Sequence, residues 1–226
     1  MKKLFLFCLL AFLGLAVLGS YTPIYAYPVV SIGQSITFGN GPGTTGGGEF
    51  KVYDAGGAYL YNSFCLETDE FLNYSDVFMI DDISTEARGG GSGGPSPDPI
   101  SQETAYLYHH FYWGSLPTST TLGNYVYGSD TSANYLQRAI WWLEGETLGV
   151  HNDYVTLAQA AVSGGAWTGL GDVRVLNLLY QDGRPAQDQL VVVPVPEADT
   201  MLLLGFGLIS LVGIGRTKFR LRRKRD

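Results

Sequence analysis

The chain has 226 residues, 46% of them hydrophobic and 13% aromatic, with 14 Lys and Arg against 21 Asp and Glu for a formal net charge of −7. That aromatic content excludes a disordered stalk, and the acidic balance excludes a surface made to hold nucleic acid or anionic lipid.

The N-terminus reads as a secretory signal over residues 1–26. Lys2 and Lys3 supply the positive end, residues 4–18 form the apolar core, and Ala26 puts a small residue at the cleavage point. The mature chain then starts near Tyr27, outside the cytoplasmic membrane. Residues 27–199 carry five basic side chains (Lys51, Arg88, Arg138, Arg174, Arg184) and twenty acidic ones, a net of −15. This favours a soluble module facing a wall or matrix. No dense Asp-x-Asp-x-Asp loop appears, so no dedicated metal site is expected, and no cofactor is implied.

Residues 29–38 alternate as a strand, residues 39–48 form a glycine-rich loop, and residues 50–54 give a second strand. The loop lacks the Gly-Lys-Ser/Thr ending of a phosphate cradle, so it reads as a plain connection. Residues 58–66 continue the β pattern. Residues 81–86 are polar, and residues 88–99 form a flexible Gly/Ser/Pro loop. Ser101 is a candidate N-cap for a helix running to Trp113. A second helix opens near Thr131 or Ser132 and ends around Gly145, and a third covers residues 153–162. Residues 172–180 and 187–193 close the domain as strands joined by a turn at 181–184. The order describes an α+β fold: a β-rich exported domain over 27–193 with two or three inserted helices.

Cys8 lies within the signal, which leaves Cys65 as the one thiol of the exported chain. An odd cysteine in an oxidising compartment calls for an explanation, whether an inert core thiol, an intermolecular disulfide or a reactive sulfur. A cysteine hydrolase would need His109, His110 or His151 beside it, and none sits in a recognisable protease signature. Glu67, Asp69 and Glu70 offer carboxylates, but an acidic cluster on a loop is more often solvated surface than a glycosidase pair. Exposed Tyr and Trp keep polysaccharide binding in view.

Phe64-Cys65-Leu66 ends a strand, and Gln137-Arg138-Ala139-Ile140-Trp141 sits on a helix about seventy residues later. Together these resemble the two signature motifs of bacterial thioester domains, although Leu136 precedes the glutamine where that family commonly has threonine. The resemblance implies that the Cys65 sulfur attacks the Gln137 amide, expels ammonia and leaves an internal thioester. A surface amine on a target would later open that bond. Trp141, one helical turn beyond Gln137, would shield it from water, with Glu144 next around that side. Such a protein acts once, as a covalent adhesin, and is not an enzyme in the ordinary sense. The alternative is a non-covalent structural or polysaccharide-binding matrix protein on the same fold.

The tail over 194–226 starts with Val195-Pro196-Glu197-Ala198, passes through an apolar run at 201–215, and ends in Arg216, Lys218, Arg220, Arg222, Arg223, Lys224 and Arg225. With its flanks the run approaches the roughly 20 residues of a single transmembrane helix, and the basic end would stay cytoplasmic. This layout resembles a PEP-CTERM sorting tail, with Ala198 where the family usually has a second proline. The resemblance implies a Gram-negative source and an exosortase-type processing enzyme. It also implies membrane anchorage before processing, then a place at the cell surface or in extracellular matrix and biofilm. Partners on this reading are the membrane, surface amines or extracellular polysaccharide, and not nucleic acid.

Overall fold

The computed structural model describes residues 26–44, 47–89 and 96–195. The expected signal peptide, except Ala26, and the expected tail beyond Val195 lie outside the described residues. Among those described, no helix is long and apolar enough to cross a membrane.

The fold is α+β. Six strands form one antiparallel sheet: β1 (Ser35–Asn40), β2 (Phe50–Asp54), β3 (Tyr59–Ser63), β4 (Val77–Ser84), β7 (Val173–Tyr180) and β8 (Pro185–Val192). Their spatial order is β3-β2-β1-β4-β7-β8. A small ladder pairs β5 (Glu86–Ala87) with β6 (Asp98–Pro99). Helices α1 (Gln102–Tyr112), α2 (Asp130–Leu143) and α3 (Asp153–Ser163) come between β6 and β7.

The sheet curls until its two outer strands meet. Leu190 N donates to Phe64 O at 3.0 Å, Leu66 N to Asp188 O at 3.4 Å, and Cys65 forms a bridge with Gln189. Alternation then sorts the side chains of this seam. Phe64 and Leu66 join a cluster with the three helices and with Leu190 and Val192. Cys65 points the other way, into a cluster with Ile36, Phe38, Val52, Phe78, Ile80 and Leu178. Trp141 enters that second cluster from α2, while Leu136, Ala139 and Ile140 of the same helix belong to the first.

Three expectations need correcting. The first strand starts at Ser35 and not at Val29, because Gly33 takes a positive φ of 83° in a turn whose N–H bonds Ile80 O. Residues 77–84, read only in part and as polar, form the longest strand of the first half, with Phe78 and Ile80 inward and Met79 outward. The loop at 88–99 is anchored at both described ends. Asp98–Pro99 pairs with β5, Arg88 N donates to Asp188 Oδ2 at 2.6 Å, and the Arg88 guanidinium meets Asp81.

The helix starts follow their caps. Ser101 Oγ accepts from Thr104 N at 3.1 Å and donates to Glu144 Oε1 at 2.7 Å, which ties the start of α1 to the end of α2. Ser101→Ala should therefore cost about 1–2 kcal/mol. A urea titration would read this as a lower midpoint at unchanged slope, and an unaltered midpoint would contradict it.

Candidate functional site

Cys65 and Gln137, 72 positions apart, meet in the interior with no solvent exposure. The Cys65 sulfur lies 3.5 Å from Gln137 Oε1. The same oxygen accepts the N–H of Cys65 at 3.3 Å and the N–H of Gly48 at 3.2 Å. On the other side of the amide, Gln137 Nε2 donates to Cys65 O at 2.8 Å. The amide is thus held at both ends, with two backbone donors aimed at its carbonyl oxygen. That is the arrangement that stabilises an oxyanion when a nucleophile adds to the carbonyl carbon.

The glycine-rich loop is part of this site, a role the sequence reading missed by taking it as a plain connection. Glu49 N donates to Pro42 O at 2.9 Å and closes the loop. Asp130, Asn134, Gln137 and Trp141 form a stripe along α2, and the loop lies along it. Gly43 N donates to Asp130 Oδ1 at 2.9 Å, Thr44 N to Asn134 Oδ1 at 2.8 Å, and Gly48 N to Gln137. Glycine is required by space as well as by backbone. A Cβ on Gly47 would sit 2.6 Å from Trp141 Cζ2 and 2.9 Å from Gln137 Cγ, and Gly48 holds a φ of 131°. The only sequence signal for this was the run of glycines immediately before β2.

Trp141 is 2% exposed and packs in the same cluster as Cys65. Burial raises the Cys65 thiol well above its ordinary range, and the nearby Glu67 raises it further. The Trp141 N–H pulls the other way, although it makes no hydrogen bond. The sulfur is therefore a neutral thiol at neutral pH, inert to bulk oxidants and close to one amide. Glu144, placed in the sequence reading beside the shield, instead serves the cap of α1.

Next to Cys65, β8 carries Gln187, Asp188 and Gln189, all buried. Asp188 accepts three N–H donors, from Arg88, Asn177 and Leu178. Glu67 is also buried, contrary to the expectation of a solvated acidic loop. Its Oε2 accepts only Asp188 N at 3.2 Å, and its Oε1 has no partner. Burial, reinforced by Asp188 and Glu70, pushes its carboxyl up to about 10. With three donors on Asp188 and a bare oxygen on Glu67, the proton of this pair sits on Glu67.

The histidines are engaged elsewhere. His109 Nδ1 is 2.6 Å from Asp172 Oδ1, His110 Nδ1 is 2.8 Å from Ser115 Oγ, and His151 packs edge-on against Trp142. None of these contacts brings a histidine to Cys65, as a cysteine hydrolase built on it would need. Nor does any group of three or more His, Cys, Asp or Glu side chains among them suit a metal ion. Val195 is exposed, and the rest of the expected sorting signal lies outside the described residues. The chain matches no protein-family model, no curated protein and no solved structure.

Proposed function

We propose that the exported domain is a covalent adhesin or matrix crosslinker that carries an internal thioester between Cys65 and Gln137. The observation that carries this reading is the buried contact itself, with the thiol 3.5 Å from a carbonyl oxygen that two backbone N–H groups already polarise. Chance burial of a cysteine gives neither a facing primary amide nor a pair of donors.

The chemistry balances within the pair. The thiol sulfur adds to Gln137 Cδ, the Cδ–Nε2 bond breaks, and the thiol proton leaves with the nitrogen as ammonia. An incoming primary amine then adds to the same carbon. Its nitrogen forms the new amide, and its proton returns to the sulfur as the thiol is released. Holding the reacting groups in contact supplies the proximity such a step needs. The burial of Trp141 keeps water from competing. The bond forms once and is consumed once, so the protein does not turn over.

The address belongs to the same proposal. The signal-like N-terminus, the Val195-Pro196-Glu197 signal, the apolar run and the basic end support export, membrane anchorage and processing by an exosortase-type enzyme, with a final place at the cell surface or in the matrix.

The test is the intact mass of the full chain in detergent, purified without amines or reductant. The expected mass is one ammonia below that of the sequence, returning to the full value in Cys65→Ala and rising by one methylamine on exposure to that amine. A full sequence mass with a Cys65 that titrates on unfolding rules the thioester out. The non-covalent matrix protein then stands in its place.

A further inference from the structure

We propose that Glu49 is a positioning residue of the reactive pair: its buried carboxylate clamps together the two chain segments whose N–H groups point at the Gln137 carbonyl oxygen. The inference rests on the thioester reading and deepens it. The same oxygen carries the developing negative charge when the bond forms and again when an amine opens it, so the aim of its donors governs both steps.

The two donors come from different parts of the chain. One belongs to Gly48, immediately before Glu49, and the other to Cys65, three residues after Asn62. Backbone pairing of Phe50 with Ser63 sets the register between these segments, but it stops short of both donors. Glu49 spans the gap. Its Oε2 accepts from Asn62 Nδ2 at 2.6 Å, its Oε1 accepts from Tyr125 OH at 2.6 Å, and its own N–H donates to Pro42 O at 2.9 Å. Tyr125 lies in the loop that leads into α2, the helix that carries Gln137. One carboxylate thus ties together all three segments that build the site.

The clamp is itself held rigid. Asn62 Oδ1 accepts from Tyr59 OH at 3.0 Å, the Asn62 carbonyl accepts from Tyr108 OH at 3.0 Å, and Tyr125 packs edge-on against Phe111. Glu49 is 3% exposed, and burial raises its carboxyl above the ordinary range, against the bonds from Tyr125 and Asn62. An apolar side chain would fill this place without that desolvation cost. It would hold neither Asn62 nor Tyr125. Glutamine keeps the size but only one acceptor, and Asn62 cannot turn its own amide around without giving up the Tyr59 bond.

The test follows methylamine uptake by intact mass on the full chain in detergent. Wild type is compared with Glu49→Gln and Tyr125→Phe, and with Ser101→Ala as a control for lost stability alone. A misaimed donor should slow uptake about tenfold in Glu49→Gln and about threefold in Tyr125→Phe, while Ser101→Ala leaves it unchanged. A merely structural role has the opposite sign, since a loosened shell admits the amine sooner. Uptake by Glu49→Gln at or above the wild-type rate therefore overturns the proposal. If that variant arrives with no mass deficit, peptide mapping of residue 137 decides. Intact glutamine means that the bond did not form, as expected; glutamate, one mass unit above the variant's own sequence value, means that it formed and leaked, which overturns the proposal. A wild type without the deficit sinks the thioester, and the positioning role with it. A reactive wild type beside an unaffected Glu49→Gln sinks this inference alone.

Discussion

Trp141→Ala should destabilise the chain by about 3–5 kcal/mol, among the largest single-residue effects expected here. The ring is one of the largest fully buried side chains, and it enters the sheet's inner cluster from a helix whose Leu136, Ala139 and Ile140 pack in the outer one. Its removal leaves a cavity that β-strand side chains on a closed sheet cannot collapse into. The same cavity would admit water to the carbonyl of Gln137, so the variant should also lose the mass deficit through hydrolysis to glutamate at that position. Because the alanine variant is at risk of not folding, Trp141→Phe separates the two roles. It should keep most of the stability and still hydrolyse faster. Thermal denaturation and a time course of intact mass measure each part. A phenylalanine variant with an unchanged hydrolysis rate would refute the shielding role.

Glu67→Gln should raise stability at neutral pH and flatten its pH dependence. The folded carboxyl holds its proton to about pH 10, whereas the unfolded one releases it near the ordinary value of 4.5. Between those values the folded chain binds one proton more than the unfolded chain. The stability from this group is thus complete below pH 4.5 and falls as pH rises toward 10, by at most about 1.4 kcal/mol per pH unit. At pH 7 the cost is on the order of 3 kcal/mol. Glutamine copies the protonated form and removes the slope. Urea midpoints from pH 5 to 9 should therefore decline in the wild type and decline less in the variant. Parallel curves would place the proton elsewhere in the pair.

Much of the frame was legible because its signals are local. Ser101 capped α1 as its spacing implied, β2 ran over the residues expected, and the α2 pattern fixed which face of the helix Gln137 lies on. The Cys65–Gln137 pair was legible from its motif, and the two residues do meet. What was not legible depends on distant neighbours. Strand β4 was hidden by Asp81 and Asp82, which fall where its register with β7 shifts and so break the alternation that marks a strand. The burial of Gln187, Asp188, Gln189 and Glu67 was hidden because polar residues ordinarily face water. Here they are sheltered by one another and by the seam, a contact between residues more than a hundred positions apart. The donors on the amide were invisible for a simpler reason, since a backbone N–H leaves no trace in a sequence beyond the glycine that lets it approach.

The seam also sets an order of events. Residue 65 takes its place against β8, whose residues 185–192 are the last of the sheet to leave the ribosome. Both members of the reactive pair are synthesised long before the strand that fixes one of them. A half-made chain therefore carries the sulfur and the amide without the strand against which residue 65 is seated. The hairpin of β7 and β8 acts as the closing stitch of the seam, and on the proposed function only a completed domain would be ready to form the bond.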